Sequence, residues 1–384
     1  MGPKVRAGKP VTGTNFYGRE KKVTEFWKEI NNGNNLLLVS PRRLGKTSLM
    51  RHVEANPQEG WTVVFSNLEG KTTAVSAITE IISKLRQKGG LGERIASGFL
   101  KAIDGAEIQG FGLSAKIREA AQDDWDNLST QFENAIAEAT KKDDRLILII
   151  DEFPIIIEKL FSNPDTADQA VSLLQLFRKI RTDTNLEDKF QMVVGGSIGL
   201  KPVLRRNNAT ADANDLKAFR IGPWSKEIAL AFMGEIAASG ELVLSEELQE
   251  QVLARTGQEP IPYHLQTVLD GLISLEKRDE EITVDDVEAV WRTAIGDVEL
   301  DHYRERLSSV LEGDEVALAE EILAQIVQNG PQLRSSLTET LGEAKPAKIA
   351  LRMLLEDGYL VEEAGDDPMV SFANPMLAEF WRLY

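Results

Sequence analysis

The stretch LLLVSPRRLGKTSLM, residues 36–50, constrains the fold of this chain more than any other. NLLLVS (35–40) is a short apolar run with Asn-Gly-Asn-Asn at its start and Pro41 after it. That pattern reads as a strand of a parallel sheet, buried on both faces. Beyond Gly45-Lys46-Thr47, the apolar residues Leu49, Met50 and Val53 recur at helical spacing. Strand, tight loop and helix form the context a phosphate-binding loop requires. Backbone N–H groups of such a loop point at a phosphate, and the helix N-terminus adds positive potential. Ser40-Pro41-Arg42-Arg43-Leu44-Gly45-Lys46-Thr47-Ser48 are therefore candidate phosphate-binding residues. Lys46 would reach the β- and γ-phosphates, and the Thr47 hydroxyl would ligate Mg²⁺. The usual G-x-x-x-x-G-K-[ST] spacing has glycine where this chain has Ser40; that position closes the strand, where a small residue can serve. Of the two arginines, one is expected to contact phosphate and at least one to pack structurally.

A second G-K-T, in LEGKTTAV (68–75), serves as an internal control. Glu69 directly precedes its glycine, and a carboxylate there would repel a phosphate, so this stretch reads as a strand end leading into a helix. The first copy has a partner in RLILIIDEFPIII (145–157), an apolar strand that ends in Asp151-Glu152. In a nucleotide site, Asp151 would hold Mg²⁺ through water, and Glu152 would polarise the attacking water.

With these residues assembled, the chain resembles the AAA+-related STAND ATPases, in particular the archaeal-type ATPase branch that also occurs in bacteria. NFYGREKKVTEFWKEI (15–30) is similar to that group's F-x-G-R-E segment, which implies Tyr17, Gly18 and Arg19 beside the adenine. SPRRLGKTSLM is similar to its arginine-containing loop and IIDEFP to its acidic strand. KFQMVVGGSIGL (189–200) resembles the strand that ends in a small polar sensor residue, here Ser197. The likeness spans about residues 15–300. GPWSKEIALAFM (222–233) and TGQEPIPYHLQTVL (256–269) resemble the helical lid, which implies that Pro260 and His264 approach the nucleotide. His264 reads equally well as a core or helix-capping residue. The lid segment lacks the arginine that many AAA+ enzymes aim at the γ-phosphate, which favours switching over continuous cycling. Related ATPases place an arginine after the sensor strand that acts on a neighbouring subunit; Arg205 and Arg206 are the candidates, with Arg220 behind them.

The expected fold is thus α/β: a P-loop NTPase core of AAA+/STAND type with a parallel sheet (1–222, with a hairpin insertion near 100–120), a helical lid (223–300) and a C-terminal winged helix (301–384). The hairpin is read from AEIQGFGLSAKI (106–117), with Phe111 at its tip. The winged helix is read from three helical patterns, a Gly-Tyr-Leu strand, an acidic turn and a second strand. Winged helices suggest DNA, so charge decides how that option is weighed. Residues 301–384 hold sixteen Asp or Glu against seven Lys or Arg, and the whole chain carries a formal charge of −17. Lys345, Lys348 and Arg352 fall at the spacing of one helix face, a small phosphate footprint. Acidic chains are repelled by nucleic acid and anionic membranes.

Composition narrows the remaining classes. There are no cysteines, which excludes disulfides, thiolate metal sites and a cysteine nucleophile. His52, His264 and His302 lie far apart, which argues against zinc. No apolar run approaches the roughly 20 residues that span a bilayer, so a cytoplasmic protein with no membrane partner is expected. The resemblance implies ATP and Mg²⁺ as cofactors, a homo-oligomer formed on ATP binding, and a separate effector or sensor protein, in a signalling or defence setting. The alternative is a DNA-handling ATPase of the initiator or transposon-targeting kind.

Overall fold

The computed structural model describes residues 2–104, 125–140, 144–276, 282–297, 300–341 and 345–383. The hairpin expected at 106–117, Phe111 included, lies outside the described residues. The chain forms two compact units. One comprises Arg19–Val39 and Lys46–Ile221; the other comprises Met1–Gly18, Ser40–Gly45 and Gly222–Tyr384.

The first unit is built on a five-stranded sheet. Its strands are β1 (Leu36–Val39), β2 (Trp61–Asn67), β3 (Arg145–Asp151), β4 (Phe190–Val194) and β5 (Lys217–Arg220). They lie in the order β2-β3-β4-β1-β5, and every neighbouring pair is parallel. A parallel sheet needs helical cover on both faces, which explains why β3 and β4 are apolar almost throughout and buried everywhere but at Arg145. The register sets Asn67 opposite Asp151, Ile150 opposite Val194 and Val194 opposite Leu37. The carboxyl ends of β2, β3, β4 and β1 therefore share one edge of the sheet. In open α/β sheets ligands bind at that edge.

Helices α1 (Glu20–Asn31), α2 (Lys46–Ala55), α3 (Ala74–Lys88), α4 (Gly90–Asp104), α5 (Trp125–Ala139), α6 (Phe153–Ser162), α7 (Ala167–Arg181) and α8 (Leu200–Arg206) belong to this unit. The second G-K-T sits between β2 and α3, and its Lys71 Nζ donates to Glu80 Oε2 at 2.8 Å, as a strand end leading into a helix would allow. Helix α3 starts on a reciprocal cap: the Thr73 hydroxyl accepts from the Ser76 N–H, and the Ser76 hydroxyl accepts from the Thr73 N–H.

A polar clasp closes the unit where α7 ends. Arg181, whose side chain is only 2% exposed, donates Nε to Asp215 Oδ2 at 2.6 Å and Nη2 to Asp215 Oδ1 at 3.0 Å. Its Nη2 also donates to the Asp212 carbonyl at 2.7 Å. Asn35, just ahead of β1, donates to the Arg181 carbonyl and accepts from the Met192 N–H. The clasp ties α7 to the starts of β1, β4 and β5.

The second unit is mostly helical: α9 (Lys226–Ala238), α10 (Glu246–Thr256), α11 (Pro262–Glu276), α12 (Val284–Asp297), α13 (Asp301–Val310), α14 (Asp314–Asn329), α15 (Arg334–Leu341), α16 (Lys345–Glu356) and α17 (Pro375–Arg382). Ser225, Ser245 and Asn374 cap α9, α10 and α17 with side-chain oxygens. Strands β6 (Gln332–Leu333), β7 (Leu360–Glu362) and β8 (Met369–Phe372) pair antiparallel in the order β6-β8-β7. From α14 to β8 the element order is that of a winged helix, with β6 added to the two strands read from sequence. One continuous hydrophobic core runs through this unit from Trp224 to Phe380.

Asp215→Ala leaves the Arg181 guanidinium buried without its carboxylate, and its unfolding free energy should fall by about 3 kcal/mol or more in urea denaturation. Asp215→Asn, which keeps one acceptor, should lose less.

Candidate nucleotide site

In the first unit the acidic pair ends β3. Asp151 is 2% exposed, and its Oδ2 accepts from the Thr47 hydroxyl at 2.7 Å. Its Oδ1 accepts from the Glu152 N–H at 3.1 Å. Burial pushes the Asp151 carboxyl above the usual range; the Thr47 bond opposes that, Glu152 adds to it, and Lys46 opposes it weakly. Lys46 and Ser48, in the first turn of α2, are themselves 7% and 8% exposed.

Glu152 follows with φ 56°, a left-handed backbone that costs a non-glycine residue about 1–2 kcal/mol. That turn redirects the chain from β3 into α6. The Glu152 Oε2 accepts two bonds from Ser197, one from its N–H and one from its hydroxyl, each at 2.9 Å. The segment that carries Ser197 is pinned to β3: the Gly195 N–H donates to the Ile150 carbonyl, and the Phe153 N–H donates to the Gly195 carbonyl. A Cβ on Gly196 would lie 2.7 Å from Pro154 Cδ and 3.2 Å from Glu152 Oε2. Glycine is therefore required at 196, a residue that motif reading passed over. The Gly-Gly directly after the β4 strand was the available signal.

Five residues predicted from sequence, Lys46, Thr47, Asp151, Glu152 and Ser197, thus meet at the carboxyl edge of the sheet. Arg205 and Arg206 end the short helix α8 and are exposed, with Arg206 Nη2 3.8 Å from Glu158 Oε1. Arg220 is exposed at the end of β5. Arg19 is buried, which lowers its guanidinium to about 10 and leaves it charged at neutral pH.

The loop residues Ser40 to Gly45 belong to the second unit. Gly45 has φ 91° and Arg43 φ 70°. Leu44 is buried, and Ser40, Pro41, Arg42 and Arg43 are half-buried. The Arg43 guanidinium lies 4.3 Å from the centre of the Tyr263 ring. Tyr17 packs on Trp224 and Phe232, with centroid distances of 6.1 and 5.4 Å. A Cβ on Gly18, whose φ is 66°, would come 2.4 Å from Ile228 Cγ2 and 3.1 Å from Trp224 Nε1. That indole N–H is buried and finds no acceptor among the described residues. The Pro260 carbonyl accepts from the Trp224 N–H at 3.0 Å. His264 is 3% exposed, and burial, then the Arg43 charge, push its imidazole down to about 3, so it is neutral.

The Novel STAND NTPase 1 family model matches residues 9–380. The chain belongs to this family. No curated protein sequence matches it. Among solved structures this STAND NTPase is similar to the Walker-type ATPase Paby2304 of Pyrococcus abyssi, with 17% identity over 99% of this chain and 98% of that one, at a TM-score of 0.66. It is also similar to the Aeropyrum pernix ORC2 protein in its ADPNP–ADP complexes, with 13% identity over 95% and 93% of the two chains and a TM-score of 0.56. At such identities the likeness speaks for the fold, a P-loop NTPase.

The donor set of the STAND NTPase suits a hard divalent cation. One hydroxyl and one carboxylate oxygen already converge, and no cluster of three or more His, Asp or Glu side chains able to hold a metal forms among the described residues. Two protein oxygens, with the remaining positions left to water and phosphate, is how Mg²⁺ is held in phosphate sites. Burying the Asp151 carboxylate weakens the fold whenever it is charged. The stability this group contributes is greatest below its unfolded pKa and falls as pH rises through its raised folded value. Asp151→Asn should therefore melt higher than wild type at neutral pH without nucleotide, with the advantage shrinking as pH falls through that window. Thermal melts across a pH series would measure it.

Proposed function

We propose that this NTPase is an ATP-binding and ATP-hydrolysing switch whose nucleotide state controls self-association or the recruitment of a separate effector or sensor protein. The observation that carries the reading is the unbroken hydrogen-bond chain from Thr47 through Asp151 and Glu152 to Ser197. In it a metal-binding pair and a water-polarising carboxylate are held by backbone and side chains rather than by chance rotamers. Lys46 would neutralise phosphate charge, and Thr47 and Asp151 would hold Mg²⁺, which supplies charge neutralisation at the β- and γ-oxygens when bound. Glu152 would polarise the attacking water, and Ser197 would fix the carboxylate that does so. Tyr17, Gly18 and Arg19 would flank the base. The ADPNP and ADP named for the Aeropyrum protein support an adenine nucleotide here.

We divide the chain functionally into the ATPase core (1–222), the lid (223–300) and the winged helix (301–384). Arg205 and Arg206, exposed at the end of α8, suit a role on a neighbouring subunit. No helix among the described residues is long and apolar enough to cross a membrane, which fits the cytoplasmic location we assign.

A second reading, DNA handling, draws on the exposure of Lys345, Lys348 and Arg352 along α16. It is disfavoured because Glu356 on the same face lies 3.7 Å from Arg352, and the wing turn carries Asp366 and Asp367. Phosphate contacts dominate DNA affinity, so a three-cation face interrupted by carboxylates binds weakly and loses its hold with salt.

Glu152→Gln should bind ATP and lower its turnover by about 10²- to 10⁴-fold, the range for losing a positioned acid–base group. Light scattering on this variant, with and without Mg-ATP, should show a nucleotide-dependent rise in mass. A monomer in both states, with ATP binding confirmed, would remove self-association from the reading.

A further inference from the structure

The three-stranded sheet of the winged helix turns one face to the core of its unit and one away from it. Val370 of β8 and Leu360 of β7 are fully buried in that core, and Leu360 is opposite Phe372, two residues from Val370. Side chains alternate along a strand, so Met369 and Ser371, both half-buried, belong to the other face. Leu333 of β6 is opposite Met369, and the Glu363 N–H donates to the Met369 carbonyl at 3.1 Å. Leu333, Met369 and Glu363 therefore form one row across the outer face. Val361 is opposite Ser371 in the next row.

Five large apolar residues are exposed among the described residues, and two of them, Leu333 at 42% and Val361 at 44%, lie on this outer face. The other three, Val243, Val284 and Leu383, fall in a loop, at a helix start and near the chain end. Apolar residues exposed singly need no explanation. Two on one sheet face, with Met369 on the strand between them, make a contiguous patch of the kind that marks a protein contact.

Charge selects the occupant. Glu363 is exposed in the row of Leu333 and Met369, and its carboxylate has no hydrogen bond or ion pair among the described residues. Its neighbours are taken: Arg334 Nη1 donates to Glu362 Oε1 at 2.7 Å, and Ser335 donates twice to Asp367. No Lys or Arg occurs between Arg352 and Arg382, a span that holds seven Asp or Glu. Such a surface repels nucleic acid and anionic membranes. A two-fold contact with a second copy would set like carboxylates against each other. A cationic segment is attracted, and it gives Glu363 a charge-assisted partner.

We propose that this outer face is the docking surface for a separate protein, taking a segment with apolar side chains for Leu333, Met369 and Val361 and a lysine or arginine for Glu363. This rests on the recruitment reading above and supplies its surface and the chemistry of the recruited segment.

The test is selection from a random peptide library displayed on phage, with the full chain immobilised as bait, and titration of selected peptides by fluorescence polarisation. Sequences that join Lys or Arg to apolar residues should be enriched on the parent chain. They should not be enriched on the double variant Leu333→Thr/Val361→Thr, which keeps strand propensity and should melt with the parent. That double variant should weaken a selected peptide by about tenfold or more, and Glu363→Lys should do so by about tenfold. A peptide with its cation changed to Glu should bind Glu363→Lys more tightly than it binds the parent, a rescue that misfolding cannot produce. No enrichment of cationic sequences, or titrations unmoved by all three substitutions, would overturn the inference. So would self-association or DNA binding that the double variant abolishes, since the face would then serve a second copy or nucleic acid. Titrations with and without Mg-ATP in the Glu152→Gln background keep the two readings apart. Peptide binding that ignores the nucleotide retains the docking face and removes nucleotide-controlled recruitment; loss of the docking face alone leaves the nucleotide switch standing.

Discussion

The bond from the Thr47 hydroxyl to the Asp151 carboxylate sets the terms for the rest of the sheet unit. It joins the first turn of α2 to the end of β3, although β4 lies between β1 and β3 in the sheet. Burying a carboxylate is costly unless it is hydrogen-bonded, and Asp151 meets that requirement with one hydroxyl and one backbone N–H. Even so, burial wins over those bonds and raises its pKa. An apolar residue at this strand end would suit the core better, so stability does not account for the carboxylate. Perturbed groups of this kind cluster at functional sites.

Glu152 depends on that arrangement in turn. Its left-handed backbone aims the side chain toward the end of β4, where Ser197 grips one oxygen twice. The grip is available only because Gly196 carries no Cβ to strike Pro154 and the carboxylate. Three segments distant in sequence, 46–47, 151–154 and 195–197, are thus fixed together by short polar contacts and one glycine.

Much of this was legible from sequence because the signals are local. The apolar runs of β1 and β3, the G-K-T at a helix start and the Asp-Glu at a strand end each lie within a few residues, and the fold and family they implied are those found. The strand at Gly358-Tyr359-Leu360 and the acidic turn after it were legible for the same reason. Contacts that join remote segments left no local trace. Nothing near Arg181 announces Asp215, and nothing near Arg43 announces Tyr263. Hydrophobic periodicity reports which face of an element is buried, not which partner buries it. The same limit applies to the acidic wing, whose composition argues about partners without naming one.

The four non-glycine residues with positive φ sharpen this distinction. Among the described residues they are Arg43, Glu152, Asp188 and Asn208. Asp and Asn tolerate the left-handed region because their short side chains bond locally, so two of the four are ordinary turns. Arg and Glu gain no such relief. The two unrelieved cases are the loop arginine that stacks on Tyr263 and the carboxylate that Ser197 holds. Strain is sustained where surrounding structure imposes it, and here it falls on the two charged side chains nearest in sequence to the lysine and the aspartate of the site. The backbone therefore marks, independently of any motif, the same two segments that motif reading selected. It adds that each charged group is held against its own conformational preference.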